Sequence, residues 1–412
     1  MAVIHQRNHV DAFAVTAPGL EAICAGEAAS LGLRSRVLDG DGGGGITWRG
    51  SLESVARANL WLATASRVLV RVAQFKASAF YELELAAKRV AWDRFLTSAS
   101  TVRFRVTCRK SKLYHTGAVA QRLAGAVTRR IPGVRIELAK SNEASDDDPG
   151  GNRATRESSR VTSRDVSGQL FVVRLVHDVC TVSVDTSGDL LHRRGYRQQL
   201  AKAPLRETIA AAMLHGAEWP HDGEATLIDP MCGSGTIAIE AARMARRIAP
   251  GRDRRFAFQE WPEFDARAWQ ALVDEARGGE RPRVAAPIVA SDRDAGAVAA
   301  ARANAARAGV EDDITFTVAP ISAVAAPERS GWMISNPPYG VRVGEADRLR
   351  NLYAQLGNVV RAKLAGWTVG LLLADRRLER HIGLDLHQRF ATRNGGIPVR
   401  MMVGVVPTRA SR

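Results

Sequence analysis

Leu227-Ile228-Asp229-Pro230-Met231-Cys232-Gly233-Ser234-Gly235-Thr236 passes from an apolar strand through a glycine turn into a helix. Gly233 and Gly235 let the backbone approach a ligand closely, and the helix start offers N–H groups without intrahelical partners. No third glycine follows. Ile237-Ala238-Ile239-Glu240 begins the helix at once, so the spacing is not that of a dinucleotide fingerprint. The acid Asp229 closes the strand. A second acid closes the next one, Val289-Ala290-Ser291-Asp292, where a carboxylate can accept both ribose hydroxyls of a nucleoside cofactor. Asp294 suits the cap of the Ala-rich helix that follows. The two acids stand far apart because an insertion, roughly 249–283, separates them. Around them apolar strands (226–228, 288–290, 332–335, 368–373) alternate with helices (236–248, 295–308, 349–363). That alternation predicts an α/β architecture, a parallel sheet covered on both faces, with ligands at the carboxyl ends of its strands.

Trp332-Met333-Ile334-Ser335-Asn336-Pro337-Pro338-Tyr339-Gly340 reads as a buried strand that stops at Asn336. Two prolines forbid further ladder bonds and lock the turn. An amino group on a nucleobase is a poor nucleophile, because its lone pair is delocalised into the ring. Methylation needs that nitrogen held in line with the methyl donor and its two hydrogens engaged. The Asn336 oxygen and the Pro337 carbonyl can accept them, and Tyr339 offers a face for a flipped base. Positioning would then supply most of the catalysis. Catalytic candidates are therefore Asn336, Pro337 and Tyr339, with Asp229, Gly233, Ser234, Gly235 and Asp292 holding the cofactor. Cys232 sits in the glycine turn and reads as a packing residue. No cysteine occupies a loop where methylation at a base carbon would need one.

Upstream, the order strand, helix, strand, strand, helix, strand over about 10–75 predicts a small α+β unit. A second unit, 76–190, contains the strand 102–108, whose Val102, Phe104, Val106 and Cys108 alternate with Arg103, Arg105 and Thr107. A helix over 118–130 follows. The polar stretch 141–165 reads as a mobile loop. Strands at 170–176 and 180–185 are turned by His177-Asp178. The glycine run 40–45 lacks a following Gly-Lys-Ser/Thr, so it reads as a hairpin turn.

The chain has 412 residues and a formal charge of +15. Between Thr101 and Arg135 stand Arg103, Arg105, Arg109, Lys110, Lys112, Arg122, Arg129, Arg130 and Arg135, with no acid among them. Such a block gains counterion-release free energy on a polyanion. Arg109, Lys110, Lys112 and Arg122 are the candidate RNA contacts. Cys24, Cys108, Cys180 and Cys232 are scattered, which argues against a disulfide scaffold and a zinc site, and no metal is expected. No apolar run is long enough to span a bilayer, and the first ten residues do not resemble a signal peptide, so a cytoplasmic location is expected. Nothing in the sequence addresses self-association.

The chain resembles THUMP-containing class I RNA methyltransferases with an Asn-Pro-Pro-Tyr motif. Phe13-Ala14-Val15-Thr16-Ala17-Pro18-Gly19-Leu20-Glu21 looks like that family's opening, and Cys108-Arg109-Lys110-Ser111-Lys112-Leu113-Tyr114-His115-Thr116 like its THUMP segment. Asp185 to Arg197 and Ala203 to Thr208 look like the passage into its catalytic domain, and the 249–262 stretch like its insertion. The resemblance implies a ferredoxin-like domain (10–75), a THUMP RNA-binding domain (76–190) and a Rossmann-like catalytic domain (200–412) with a mixed, mostly parallel sheet. It also implies S-adenosylmethionine as cofactor, with further contacts from Pro204 and Thr208. Within the family the likeness is nearest to large-subunit rRNA guanine-N2 methyltransferases, with tRNA guanine-N2 enzymes next. One position departs: Ala319-Pro320-Ile321-Ser322 stands where many members carry an acid for the adenine amino group. The motif alone does not separate guanine N2 from adenine N6, on RNA or DNA. A non-catalytic RNA-binding assembly factor is the other alternative, and intact Asn336, Tyr339, Gly233, Gly235 and Asp292 argue against it.

Overall fold

The computed structural model describes residues 9–38, 44–137, 168–198, 205–328, 330–339 and 346–408. Gly340, Pro204, most of the 40–45 glycine run and the expected mobile loop 141–165 lie outside the described residues.

The N-terminal half holds β1 (Val10–Thr16), α1 (Glu21–Ser30), β2 (Arg36–Leu38), β3 (Gly45–Gly50), α2 (Leu52–Trp61), β4 (Ala65–Lys76), α3 (Phe80–Ala87), β5 (Thr101–Arg109), α4 (Thr116–Arg130), β6 (Arg135–Glu137), β7 (Gln169–Val176) and β8 (Val179–Asp185). Among the described residues all its strands join one eight-stranded sheet, in the order β2-β3-β1-β4-β8-β7-β5-β6. The two modules read separately from the sequence are thus continuous. β4 is long enough to pair β1 on one edge and β8 on the other. Period-two patterning sets the faces: Val102 and Phe104 of β5 are buried while Arg103 and Arg105, which alternate with them, are half-buried. The β7–β8 turn is tight because His177 and Asp178 both adopt left-handed φ, +51° and +60°.

The second half contains α5 (Glu207–Gly216), β9 (Leu227–Asp229), α6 (Thr236–Ala245), α7 (Ala266–Gly278), β10 (Ile288–Asp292), α8 (Ala295–Ala308), β11 (Ile314–Val318), β12 (Trp332–Ser335), α9 (Ala346–Lys363), β13 (Thr368–Leu373), α10 (Arg376–Arg380), β14 (His387–Asn394) and β15 (Ile397–Val405). Its seven described strands run β11-β10-β9-β12-β13-β15-β14. The pairs from β11 to β13 are parallel, and the β14–β15 hairpin joins β13 antiparallel. This is the mixed, mostly parallel Rossmann-like sheet expected. The strand order reverses between β9 and β12, and a crevice for ligands opens at such a switch point.

The insertion before β10 fastens the halves together. Phe258, Trp261 and Leu272 are buried in the core of the first sheet. The Trp261 indole N–H donates to Gln169 Oε1 at 2.7 Å, and its ring meets Phe95 edge-on at 4.9 Å. Such an aromatic pair contributes about 0.5–1.5 kcal/mol beyond its buried area. Among the described residues, no helix is long and apolar enough to cross a membrane.

Candidate active site

β9 ends at Asp229, and the turn after it reaches α6 through two left-handed glycines, Gly233 at φ +53° and Gly235 at +84°. They serve different needs. A Cβ on Gly235 would stand 2.9 Å from the Ala301 Cβ of α8, so this glycine lets two helices close up. A Cβ on Gly233 would meet nothing within 4 Å, so the space over Gly233 is open. Ser234 is buried behind the turn, and its carbonyl accepts from Asn304 Nδ2 at 3.1 Å.

Asp292, at the end of β10, is held by this same turn. One carboxylate oxygen accepts the Gly233 N–H at 3.0 Å and the other the Asp294 N–H at 3.0 Å. Each oxygen keeps a second acceptor site, enough for a pair of vicinal hydroxyls. Asp294 caps α8 through the Gly296 and Ala297 N–H groups, as expected. The acid and the open glycine therefore face one crevice in fixed relation.

Asp229 lies deeper. Ser335 Oγ donates to its Oδ1 at 2.6 Å, while its buried Oδ2 has no partner. Burial pushes this carboxyl up to about 7, outweighing the hydrogen bonds from Ser335 and the Met231 N–H. Ser335 immediately precedes Asn336, so one hydrogen bond ties the end of β9, where the glycine turn begins, to the proline turn. Asp229 binds its proton in the folded state across the window between the ordinary carboxyl value and about 7, and the unfolded chain does not. Folding stability of the ligand-free protein therefore falls as pH rises through that window. Asp229→Asn keeps the shape without the charge. Its melting temperature is expected to exceed that of wild type by several degrees more at pH 8 than at pH 5, where only part of the penalty is present. Glu207, also raised to about 7 by burial, remains in both proteins and drops out of the comparison. A gap that is the same at both pH values would show that Asp229 is not the group responsible.

β12 places Asn336 at the crevice. The Asn336 side-chain oxygen is buried and has no hydrogen-bond partner. Pro337 is buried and Pro338 exposed. Tyr339 is partly buried against the sheet, and its hydroxyl accepts from Asn394 Nδ2 at 2.8 Å. Burial raises that hydroxyl above the usual phenol value, and amide donors from Asn394 and Asn336 pull it back. Asn336, Tyr339, Asp229 and Asp292 are thus gathered at the carboxyl ends of three strands.

Thr208 is buried in the first turn of α5. The segment leading to it is clasped: Arg197 donates to the Leu205 carbonyl at 2.6 Å and pairs with Glu207 at 3.1 Å. Pro204 lies outside the described residues. Ser322 is exposed beyond β11.

The N-terminal candidates sit on two elements. Arg109, Lys110 and Lys112 are exposed on the turn after β5, where Lys110 adopts φ +47°. The β7–β8 turn braces it: Asp178 Oδ1 accepts the Lys112 N–H at 2.7 Å, and the His177 N–H donates to the Arg109 carbonyl at 3.3 Å. Arg122 stands on α4, paired with Glu84 at 2.7 Å and over the Phe80 ring. Arg130 pairs with Asp93 at 3.2 Å. The acid-free run is acid-free in sequence only. Tyr114, which sequence reasoning passed over, is 68% exposed beside the braced turn and lies against His115. Ser335 and Asn394 were also missed. The lone polar residue in an apolar strand was a signal for Ser335. Asn394 gave none beyond its hairpin turn.

Residues 194–402 match the family model described as the RMKL-like methyltransferase domain, and residues 11–69 that of the RlmL ferredoxin-like domain. The chain is 36% identical over 400 residues to the Ribosomal RNA large subunit methyltransferase K/L of Syntrophotalea carbinolica, covering 95% of this chain but only 53% of that one. It is 32% identical over 391 residues to the Synechocystis sp. protein named "Putative RNA methyltransferase slr0064", covering 95% of each. Among solved structures, SMU.472, complexed with SAH, is 28% identical with a TM-score of 0.81, covering 98% of this chain and 100% of that one.

Proposed function

Since the chain belongs to the RMKL-like methyltransferase family, we propose that it methylates the exocyclic N2 amino group of a guanine in RNA, with large-subunit ribosomal RNA as the substrate. The carrying observation is the buried, unpartnered Asn336 oxygen at the switch point, beside the glycine turn. A buried acceptor without a donor costs about 1–3 kcal/mol. A substrate amino group supplies the missing donor.

S-adenosylmethionine, the proposed cofactor, supplies an activated methyl group. The residues present fit it. Asp292 has free acceptor sites for ribose hydroxyls, the space over Gly233 admits a ligand against the backbone, and the unpartnered Asp229 oxygen suits a cationic head group. Thr208, buried in the first turn of α5, and Pro204 are the further contacts that the family resemblance implies. Asn336 and the Pro337 carbonyl take the two amino hydrogens, so that electron density localises on nitrogen. Tyr339 holds the base plane. No proton acceptor of unusual strength is required, because the amino nitrogen becomes acidic once methylated.

Functionally, 10–75 and 76–190 form the ferredoxin-like and THUMP units that hold RNA, and 200–412 forms the catalytic unit. Support for RNA comes from the braced turn, which presents Arg109, Lys110 and Lys112 beside Tyr114, an exposed ring on which an unpaired base can stack. Arg122 contributes less, because Glu84 offsets its charge. Replacing Arg109 and Lys112 with Ala and Lys110 with Gly, to respect its positive φ, should weaken RNA binding on the order of tenfold or more. The slope of log affinity against log salt should fall by roughly 0.7–0.9 for each phosphate that is no longer neutralised. Titration by fluorescence anisotropy at several salt concentrations checks this, and an unchanged slope would make the turn an ordinary solvated surface.

The proposed reaction is tested by digesting RNA to nucleosides after incubation with labelled S-adenosylmethionine. N2-methylguanosine is expected.

A further inference from the structure

Asn394 closes β14 at the tip of the C-terminal hairpin, opposite Ile397. The turn beyond it is tight because Gly395 and Gly396 both take left-handed φ, +57° and +86°. Arg393 bridges it by donating to the Gly396 carbonyl at 2.9 Å. β14 is also braced from the N-terminal half. Gly19, at φ +86°, lies so close to the Ala391 carbonyl that no Cβ fits between them. Asn394 is 6% exposed, so its side chain is set by the hairpin and not by solvent. Its Nδ2 donates to the Tyr339 hydroxyl at 2.8 Å, and the Asn336 amide acts on the same hydroxyl.

Two amides thus act on one phenol, and the Asn336 oxygen, at the other end of its carboxamide, has no partner. Without Asn394, the hydroxyl regains an acceptor site and can turn to donate. The Asn336 carboxamide could then reverse and present N–H groups to the substrate amine, which has no use for a donor.

We propose that Asn394 is a positioning residue of methyl transfer, fixing the Tyr339 ring on which the target base stacks and, through the shared hydroxyl, the orientation of the Asn336 carboxamide. This role rests on amino methylation as the reaction.

Asn394→Ala should lower kcat for RNA methylation by about 10- to 100-fold, the scale of a small misplacement of reacting groups. The KM for S-adenosylmethionine and the affinity for S-adenosylhomocysteine should stay at wild-type values. In a Tyr339→Phe background the same change should cost little more, because both variants break one relay; losses that multiply in full would overturn the proposal. The isosteric Asn394→Asp guards against a folding artefact. It keeps the packing and accepts the Tyr339 O–H, which still anchors the ring, so it should be faster than the Ala variant. Protein carrying 13Cζ-tyrosine gives a signal independent of turnover. The Tyr339 resonance, assigned by its absence in Tyr339→Phe, should move in both Asn394 variants. A resonance that stays in place, or an Asn394 variant as active as a methylating wild type, would remove the role alone. A wild-type protein that methylates no RNA while the resonance still moves would remove the amino-methylation reading, and the role with it.

Discussion

Asn336→Ala should abolish most methyl transfer while leaving the fold and RNA affinity intact. The expected loss in kcat is on the order of 10²–10³-fold, typical when one oriented polar group facing a developing charge is removed. Stability should change little. The deleted oxygen is buried and bonds to nothing in the ligand-free protein, so its removal relieves an unmet acceptor and offsets the loss of the amide's interaction with Tyr339. A purely structural Asn would behave in the opposite way, with lower Tm and little effect on turnover per folded molecule. Single-turnover methylation measured beside thermal unfolding separates the two. RNA affinity measured by anisotropy should match wild type, since the braced turn after β5 lies in the other sheet.

The second large effect separates the two glycines. Gly233→Ala places its Cβ in open space, so the protein should fold, with a penalty of about 1–2 kcal/mol for a left-handed alanine. That space is where the cofactor would lie, and affinity for S-adenosylhomocysteine should drop at least 100-fold by calorimetry, the cost of about 2.7 kcal/mol. Gly235→Ala meets Ala301 at 2.9 Å and carries φ +84°, so strain and overpacking add. It should unfold several degrees earlier, whatever its ligand affinity. If Gly233→Ala bound S-adenosylhomocysteine as wild type does, the cofactor could not lie against this turn.

Much of the site was readable because its signals are local. The glycine pair, the acid ending each strand and the proline stop after Ser335 each state a backbone requirement within a few residues. Element type followed from period, so the α8 helix and the β7–β8 hairpin stood where the pattern put them. What escaped depended on long-range pairing. Nothing near β4 says that its second edge would take β8, which merges two modules into one sheet. The partner of Tyr339 is Asn394, 55 residues downstream, and an Asn before two glycines reads only as a turn. The basic run from Thr101 to Arg135 looked uniform because its neutralising acids, Glu84 and Asp93, come from elements outside it. The insertion was visible as excess length, but its aromatic residues gave no hint that they would enter the core of the first sheet.

Base identity is the step that neither the Asn-Pro-Pro-Tyr turn nor the cofactor crevice supplies, and it is the most direct test of the proposed function. Ribosomal and transfer RNA from a strain lacking this protein, incubated with the purified enzyme and S-adenosylmethionine, can be digested and read by nucleoside mass spectrometry. One added N2-methylguanosine in large-subunit ribosomal RNA, absent with Asn336→Ala, is the predicted result. N6-methyladenosine, 7-methylguanosine or no added methyl group would contradict it.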